Sequence, residues 1–348
     1  MLRRLPLTLC FLPLVLLMAL PAVAFARTCA AASAGSDAKY RLITEPQAGY
    51  EPVYRFIASA RKTLDMTMYS LIDPAATAAL IADARRGVAV RVLLDSTPGN
   101  KAANQPAYDD LQAHGVKVRW AWPGVLWHQK SIVRDGRAVA VMSCNLNAAY
   151  YPVIRGWIVV TDKPATVAGV AATFNADFRH NHKPPARGVA PKGSQLVWSP
   201  GAQRPLVKLI GSARPGTTLY AEDEQLDSAA IDQALIAAAK RGVIVDLTMT
   251  ANPDWTAAFN ALVAGGVHVS LYAPTAPLYI QSKAISVNGR TVYAGSINFT
   301  RAMMQDDRNM GIITGDPAVV RGITATMARD FDGAAPWNSA VPQRMPLS

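Results

Sequence analysis

The pattern of apolar and polar residues occurs twice along this chain, in the same order. An alternating, strand-like run at residues 63–71 precedes an alanine-rich stretch with helical character at 74–86, and an apolar strand follows at 88–94. The same succession returns in a second set of segments at 218–223, 228–241 and 243–249. Strands that alternate with helices in this way predict a sheet covered by helices on both faces.

Each repeat then adds two adjoining strands, which meet at Asp135-Gly136 in the first repeat and at Asn288-Gly289 in the second. These dipeptides favour tight hairpins, because the turn requires positive φ. The sequence therefore predicts an α/β protein with two pseudo-symmetric α/β/α sandwich halves, at residues 40–183 and 202–335. A Pro/Gly-rich segment at 184–201 is the predicted linker, and 336–348 is a predicted irregular tail.

The N-terminal segment has a different composition. Arg3 and Arg4 precede an almost wholly apolar run at residues 7–20, and small residues follow it. This order predicts a secretory signal peptide over residues 1–26, and hence a secreted or periplasmic protein. An uncleaved membrane anchor is the alternative, which is disfavoured because the run is shorter than the roughly 20 residues that span a bilayer.

Composition and charge limit the class of protein and the kinds of binding partner that fit this chain. With 348 residues, of which 51% are hydrophobic, the chain is long enough for two folded domains with real cores. Its formal net charge of +11 suits an anionic partner, such as phospholipid head groups or nucleic acid. Charge that merely keeps the protein in solution is the plainer interpretation, and the charge alone does not separate the two.

Candidate chemistry lies on either side of the first hairpin. His128 and Lys130 are two residues apart in an extended segment, so their side chains project from the same face. A lysine neutralises phosphate oxygens, and a neutral imidazole can attack phosphorus as a nucleophile. Ser143 and Asn145, on the following strand, carry groups that can bind the same oxygens. The pattern predicts a phosphate site with His128 as its nucleophile.

The second repeat keeps only part of this pattern, 153 positions further on. Lys283 is retained, as are Ser296 and Asn298, and these three are predicted to complete the phosphate site from the other half. However, Gln281 stands in the place of His128, and Asn288 in the place of Asp135. An amide does not titrate near neutral pH, so Gln281 cannot act as a general acid or base.

At these residues the chain resembles the phospholipase D superfamily. The hallmark of that superfamily is His-x-Lys-x-x-x-x-Asp followed by Gly-Ser-x-Asn, present twice; His128, Lys130 and Asp135 match the first copy in full. The resemblance extends over roughly residues 50–332. It implies two halves that share one active site without a metal or cofactor, a phosphohistidine formed on His128, and Asp135 as an orienting partner. It also implies a second histidine that protonates the leaving alcohol, where this chain has Gln281.

Two classes of function remain open on the sequence. The first is a phosphodiesterase that acts on a phospholipid head group or another phosphodiester, with a secreted nuclease as a variant. The second is a catalytically silent phosphate-binding protein, favoured by the missing histidine and by the absence of the downstream glutamate that the superfamily often has. One carboxylate of Glu222, Asp223 and Glu224 is a candidate replacement for the missing acid, unless this is a solvated loop. Peripheral membrane contact and a monomer are expected.

Overall fold

A computed structural model describes residues 39–179 and 187–338 of the chain. The predicted signal peptide at 1–26 lies outside the described residues. Among the helices that the structure describes, none is both long enough and apolar enough to cross a bilayer.

The first half contains nine strands and four α-helices within residues 39–179. In chain order they are β1 (Tyr40–Glu45), α1 (Glu51–Ala58), β2 (Thr63–Met68), β3 (Leu71–Ile72), α2 (Pro74–Arg85), β4 (Ala89–Leu94), α3 (Pro98–Ala113), β5 (Lys117–Trp120), β6 (Ser131–Arg134), β7 (Ala138–Met142), β8 (Leu146–Asn147), β9 (Ile154–Thr161) and α4 (Pro164–Arg179).

The second half repeats this order from residue 196 onwards. Its elements are β10 (Leu196–Ser199), α5 (Gln203–Gly211), β11 (Thr218–Glu222), β12 (Leu226–Asp227), α6 (Ala229–Lys240), β13 (Ile244–Thr250), α7 (Thr256–Ala264), β14 (His268–Tyr272), β15 (Tyr279–Ile280), β16 (Ala284–Val287), β17 (Thr291–Gly295), β18 (Phe299–Thr300), α8 (Arg301–Gln305), β19 (Asn309–Thr314), α9 (Pro317–Gly333) and β20 (Ala335–Pro336).

Each half is built on one mixed sheet. The strand order is β1-β9-β7-β6-β2-β4-β5 in the first and β10-β19-β17-β16-β11-β13-β14-β20 in the second. In both sheets the strands joined by helices are parallel, whereas the hairpin strands are antiparallel. The predicted fold class, two pseudo-symmetric α/β/α halves, is confirmed.

The local sequence explains the turns that shape each half. Asp135 and Asn288 have φ of 54° and 57°, and the glycine after each has φ of 59°. Positive φ at both central residues is what a two-residue hairpin requires, and Asn, Asp and Gly tolerate it best. The predicted hairpins are therefore confirmed as β6–β7 and β16–β17. In addition, Asp73 caps α2 by accepting a hydrogen bond from the backbone N–H of Ala75 at 2.8 Å.

Two segments predicted to be irregular contain strands. Within the predicted linker, β10 forms the edge of the second sheet, where Trp198 is buried in the core and its indole N–H donates to the carbonyl of Val189. Within the predicted tail, Pro336 pairs with Ser270 as part of β20, and Trp337 packs on Phe259. Both strands are short and contain or adjoin proline, so their sequences resemble loops, and tertiary contacts decide their conformation.

The apolar core has separate parts within each half and one part that is shared between them. The shared cluster joins β7 and β9 of the first sheet to β17 and β19 of the second, and α4 and α9 also contribute to it. It includes Trp157, Val170, Met310 and Ile323, all fully buried. Such a buried interface makes the two halves one compact body, and it brings the segments before β6 and β16 close together.

The halves also exchange backbone contacts reciprocally. Strand β15 of the second half pairs in parallel with β9 of the first, with Ile280 opposite Arg155. In the matching place, Trp127 of the first half forms a parallel bridge with Arg308 of the second. The residue that follows each exchanged segment, His128 or Gln281, is thereby anchored at the interface between the halves.

Two buried ion pairs also connect the halves, and each half contributes the arginine of one and the aspartate of the other. Arg155 of the first half binds Asp330 of α9 at 2.5 Å, and Arg308 of the second half binds Asp177 of α4 at 2.9 Å. Burial raises the pKa of Asp177 to about 6 in spite of the neighbouring Arg308, so desolvation outweighs the attraction. Buried pairs of this kind contribute little net stability, but losing one partner strands a charge in the core.

We expect Asp330→Ala to lower the free energy of unfolding by about 3–5 kcal/mol, because it removes the carboxylate that the buried guanidinium of Arg155 binds through two hydrogen bonds. The matched control is Glu51→Ala, which removes an exposed ion pair with Arg55 and should cost about 1 kcal/mol or less. Urea denaturation of both variants measures the difference. Equal losses would contradict the structural importance of the buried pair.

Candidate functional site

His128 lies at the interface of the halves, and its orientation is set by the half to which it does not belong. It follows directly on Trp127, and its Nδ1 lies 2.9 Å from the carbonyl oxygen of Ser296 and 3.2 Å from Oδ1 of Asn309. The amide nitrogen of Asn309 donates to the carbonyl of Met303, which turns Oδ1 toward the imidazole. Since both partners are acceptors, Nδ1 carries the proton and Nε2 keeps its lone pair.

The electrostatics of the pocket favour the neutral imidazole. His128 is buried, and burial together with the ammonium groups of Lys130 and Lys283 holds its pKa well below the usual value. A neutral ring with a free Nε2 is the form that a nucleophilic histidine requires.

The two lysines make equivalent hydrogen bonds within their own motifs. Lys130 Nζ donates to the carbonyl of His128 at 2.7 Å, and Lys283 Nζ donates to the carbonyl of Gln281 at 2.6 Å. Both side chains are only 1% exposed. Burial, and then repulsion from Lys283, holds the pKa of Lys130 well below its usual value. Two cations kept so close in a buried pocket are arranged for an anionic ligand, which relieves their repulsion.

One residue beside each lysine differs between the halves, and these two residues occupy equivalent positions after β2 and β11. Tyr69 stacks edge-on against His128, with ring centroids 4.7 Å apart, and it lies under Lys130 with Nζ 4.9 Å from the ring centre. Glu224 instead forms an ion pair with Lys283 at 2.7 Å. The first half therefore contributes an imidazole and an aromatic ring to the pocket, and the second contributes a carboxylate.

The acidic segment at 222–224 is not the solvated loop that the sequence allowed. Glu222 lies in β11 and accepts a hydrogen bond from the hydroxyl of Ser282 at 2.5 Å, and Asp223 accepts from the backbone N–H of Gln225 at 2.9 Å. Both are fully buried, and burial raises the pKa of each well above the usual range. Of the three carboxylates, Glu224 alone has a hydrogen bond to a motif lysine.

Four side-chain amides in the motifs carry buried atoms that make no hydrogen bond to any of the described residues. The atoms are both polar atoms of the Asn298 amide, Oδ1 of Asn145, Oε1 of Gln129 and Oε1 of Gln281. Asn298 is only 1% exposed, and a buried amide without partners is costly unless a ligand satisfies it. The phosphate-binding roles of Asn145 and Asn298 remain predictions, and these orphaned atoms are consistent with them.

The catalytic role predicted for Asp135 does not fit its position. It lies in the hairpin turn, at the opposite end of β6 from His128, and its carboxylate accepts hydrogen bonds of 2.7 to 3.2 Å from the backbone N–H groups of residues 61–63. Asn288 does the same in the second half, where Oδ1 accepts from Arg214 N at 3.0 Å and from the Thr217 hydroxyl at 2.7 Å. Both residues stabilise a hairpin turn by accepting hydrogen bonds. The asparagine at position 288 therefore does not indicate that a catalytic group has been lost.

The two serines of the Ser-x-Asn triplets also differ from their predicted role as phosphate ligands. The hydroxyl oxygen of Ser143 accepts a hydrogen bond from the backbone N–H of Trp157 at 2.8 Å, and that of Ser296 accepts from the N–H of Met310 at 3.2 Å. Both hydroxyls thus join one strand of their own sheet to the next. The contribution of Ser296 to the site is its carbonyl oxygen, which holds His128.

Sequence reasoning missed Tyr69 and the function of Asn309. Tyr69 stands in a strand-like apolar run, where core packing is the default interpretation of an aromatic residue. Asn309 lies in the segment where the superfamily often has a glutamate, and its amide oxygen supplies an acceptor to His128. Because an amide carries no charge, a search for a carboxylate in this segment does not find it. Within the residues that the structure describes, no group of three or more His, Cys, Asp or Glu side chains is placed to hold a metal ion.

Comparison with known proteins agrees with this arrangement. A family model described as "Cardiolipin synthase, PLD-like domain" matches the chain twice, at residues 53–178 and 206–331. Cardiolipin synthase A of Pseudomonas syringae pv. syringae (strain B728a) is 34% identical over 114 residues, which is 32% of this chain and 23% of that protein. The chain thus spans less than a quarter of the length of this curated relative.

Two solved structures have a similar fold. Phosphatidylserine synthase from Haemophilus influenzae Rd KW20 superposes with a TM-score of 0.64 at 11% identity, covering 84% of this chain and 85% of that one. Polyphosphate kinase from Porphyromonas gingivalis superposes with a TM-score of 0.63 at 16% identity, covering 84% of this chain and 50% of that one. At these identities the likeness concerns the fold alone.

The hydrogen bonds of His128 lead to a spectroscopic prediction. We expect the ring to be the Nδ1-protonated tautomer and to remain neutral as the pH is lowered from 7.5 to about 6, because its pKa is held below the usual value near 6.5. Nitrogen-15 shifts of selectively labelled histidine measure both properties, and exposed His114 provides the comparison. A His128 ring that takes up a proton above pH 6.5 would contradict the geometry.

The position of Asp135 predicts that replacing this motif residue by asparagine has little effect on the reaction rate. We expect Asp135→Asn to retain the turnover of the wild type, because Asn288 holds the equivalent turn with an amide. Asp135→Ala should lower the free energy of unfolding by about 1–3 kcal/mol, since three backbone N–H groups lose their acceptor. Thermal unfolding and initial rates test this, and a rate reduced many-fold in Asp135→Asn would argue for a catalytic carboxylate.

Proposed function

This chain belongs to the family described as cardiolipin synthase, PLD-like domain, within the phospholipase D superfamily that the motifs predicted, and on that premise we propose that it is an exported phosphodiesterase. The family acts on phospholipid or other phosphodiester substrates. In this proposal the protein hydrolyses a phospholipid head-group bond, or another phosphodiester bond, through a phosphohistidine formed on His128. Lys130 and Lys283 bind the phosphate oxygens, and Asn145 and Asn298 assist them.

The observation that carries the proposal is the hydrogen bond from His128 Nδ1 to the Ser296 carbonyl. It leaves the lone pair on Nε2, in a pocket that contains two buried ammonium groups. A developing charge on a phosphoryl group is stabilised by fixed cations of this kind. The site thus combines a nucleophile with charge stabilisation.

The same observation favours an enzyme over a catalytically silent binding protein. Two lysines and unpartnered amides suffice to bind a phosphate, and an oriented neutral histidine adds little affinity for an anion. Burial beside Lys130 and Lys283 lowers the pKa of His128 and so keeps the imidazole neutral, which is the form that nucleophilic attack requires. Gln281 lowers the expected rate but leaves the attack by His128 intact.

A lipid is favoured over a nucleic acid by the surroundings of Lys283. Its partner Glu224 lines a cavity of about 560 Å³ whose wall also carries the acidic residues Asp227, Asp254 and Asp307. A nucleic acid brings further phosphates, which proteins usually meet with lysine and arginine. A single phosphodiester with a neutral or cationic leaving group avoids this repulsion, as phospholipid head groups do.

The acceptor of the phosphoryl group and the location of the protein complete the proposal. The curated relative named above is a cardiolipin synthase, and a phosphohistidine can pass its group to an alcohol as well as to water. We propose water as the acceptor, with transfer to an alcohol as the alternative.

We also propose that the protein is exported, on the basis of the N-terminal sequence, and that it works as a monomer at a membrane surface.

We expect purified protein to turn over a fluorescent phosphatidylcholine analogue and bis(p-nitrophenyl) phosphate, and single-stranded DNA much more slowly. His128→Ala should abolish this turnover, because it removes the imidazole on which the phosphohistidine is proposed to form. The matched control is His114→Ala, which removes an exposed histidine and should leave the rates unchanged. Added butanol distinguishes hydrolysis from transfer, since transfer yields the phosphatidyl alcohol.

The opposite outcome identifies the silent binding protein. In that case no substrate is turned over, while a phosphodiester binds in calorimetry and its affinity falls sharply in the double variant Lys130→Ala/Lys283→Ala. Faster cleavage of DNA than of the lipid would instead support the nuclease.

A further inference from the structure

We propose that Glu224 is a catalytic residue that transfers protons in place of the missing second histidine. The inference rests on the phosphodiesterase function proposed above and assigns to this site its general acid and base. The superfamily places a histidine where this chain has Gln281, so the acid has to come from another residue near Lys283.

The position of Glu224 meets the geometric requirement. Its Oε2 lies 2.7 Å from Lys283 Nζ, and its Oε1 lies 3.4 Å from the hydroxyl of Tyr279. Lys283 is one of the two lysines that flank His128, and Glu224 is close enough to Lys130 to influence it electrostatically. A phosphate held by both lysines would therefore lie within reach of this carboxyl group.

The neighbouring carboxylates are excluded by their contacts. Glu222 and Asp223 are fully buried and are engaged by Ser282 and by the backbone N–H of Gln225. The side chain of Glu224 is 21% exposed, so both substrate and water can approach it. Tyr69, its counterpart in the first half, contacts the nucleophile His128, so the attacking group and the carboxyl group come from opposite halves.

The path by which the alcohol would leave also agrees with His128 and Glu224 coming from opposite halves. Glu224, Tyr279 and Leu126 line the cavity of about 560 Å³, and the hydrogen bond from Lys283 to Glu224 connects this cavity to the motif lysines. An alcohol leaving the phosphorus on the side opposite to His128 would enter this cavity and pass the carboxyl group. In-line displacement requires the attacking and leaving groups to lie on opposite sides of the phosphorus.

The proton transfers balance over the two steps. In the first, His128 Nε2 forms a bond to phosphorus, the bond from phosphorus to the alcohol oxygen breaks, and the carboxyl proton of Glu224 moves to that oxygen. In the second, water attacks phosphorus, its proton moves to the Glu224 carboxylate, and the phosphorus–nitrogen bond electrons return to Nε2. The carboxyl group of Glu224 thus gives up one proton in the first step and recovers one in the second, so the site returns to its starting state.

The test compares two leaving groups in the variant Glu224→Gln. An alkoxide needs a proton to leave, so kcat for the phosphatidylcholine analogue should fall by about 10²–10⁴-fold. The p-nitrophenolate of bis(p-nitrophenyl) phosphate leaves without one, so its release, measured in the first turnover, should change by less than about tenfold. The control Glu51→Gln removes an exposed carboxylate and should change neither rate.

Rescue separates proton transfer from a structural role. Adding Gln281→His to Glu224→Gln supplies a titratable group at the position of the missing histidine, and it should restore most of the turnover of the lipid analogue. Equal losses on both substrates without rescue would overturn the proposal, as would a lower KM with unchanged kcat, which would mean that Glu224 only competes with phosphate for Lys283.

The wild-type rates separate failure of this proposal from failure of the proposed function. Wild-type turnover of bis(p-nitrophenyl) phosphate alone, without any of the lipid analogue, would overturn the role of Glu224 and leave His128 as a nucleophile. Turnover of neither substrate would overturn both.

Discussion

The reciprocal exchange between the halves is the constraint on which the site depends. Ile280 pairs with Arg155 and Trp127 bridges to Arg308, and each arginine is then bound by an aspartate of the opposite half. Backbone pairing fixes how each exchanged segment is aligned with the opposite half. Any other alignment would separate the buried ion pairs, which is energetically unfavourable. As a result, His128 meets acceptors that its own half does not contain.

The local sequence predicted a large part of the fold. Strand and helix patterns, helix ends and the Asp-Gly and Asn-Gly hairpins depend on neighbours a few residues apart, and the structure agrees with them closely. The strands β10 and β20 escaped prediction because they are short edge strands whose conformation comes from contacts with distant residues. The exchange at Trp127 and Ile280 was not foreseen for the same reason, since nothing in a local pattern specifies a partner in the other half.

The sequence predicted which residue types come together in the candidate site better than it predicted how they are arranged. His128, Lys130 and Lys283 come together as the spacing indicated. The motif letters Asp135, Ser143 and Ser296 belong to the framework instead, because turns and strand edges have buried N–H groups that need acceptors. Tyr69 and Glu224 entered the site from strand ends outside the motif, where only the docked halves show which side chains reach the lysines.

The acceptors of the His128 imidazole lie far along the chain, at separations of 168 and 181 residues. During synthesis His128 therefore emerges long before the groups that set its tautomer. Contacts of such long range require loop closure before they form. A partly synthesised chain thus lacks the acceptors that orient this imidazole, and the arrangement that the proposed chemistry needs exists only once both halves have docked.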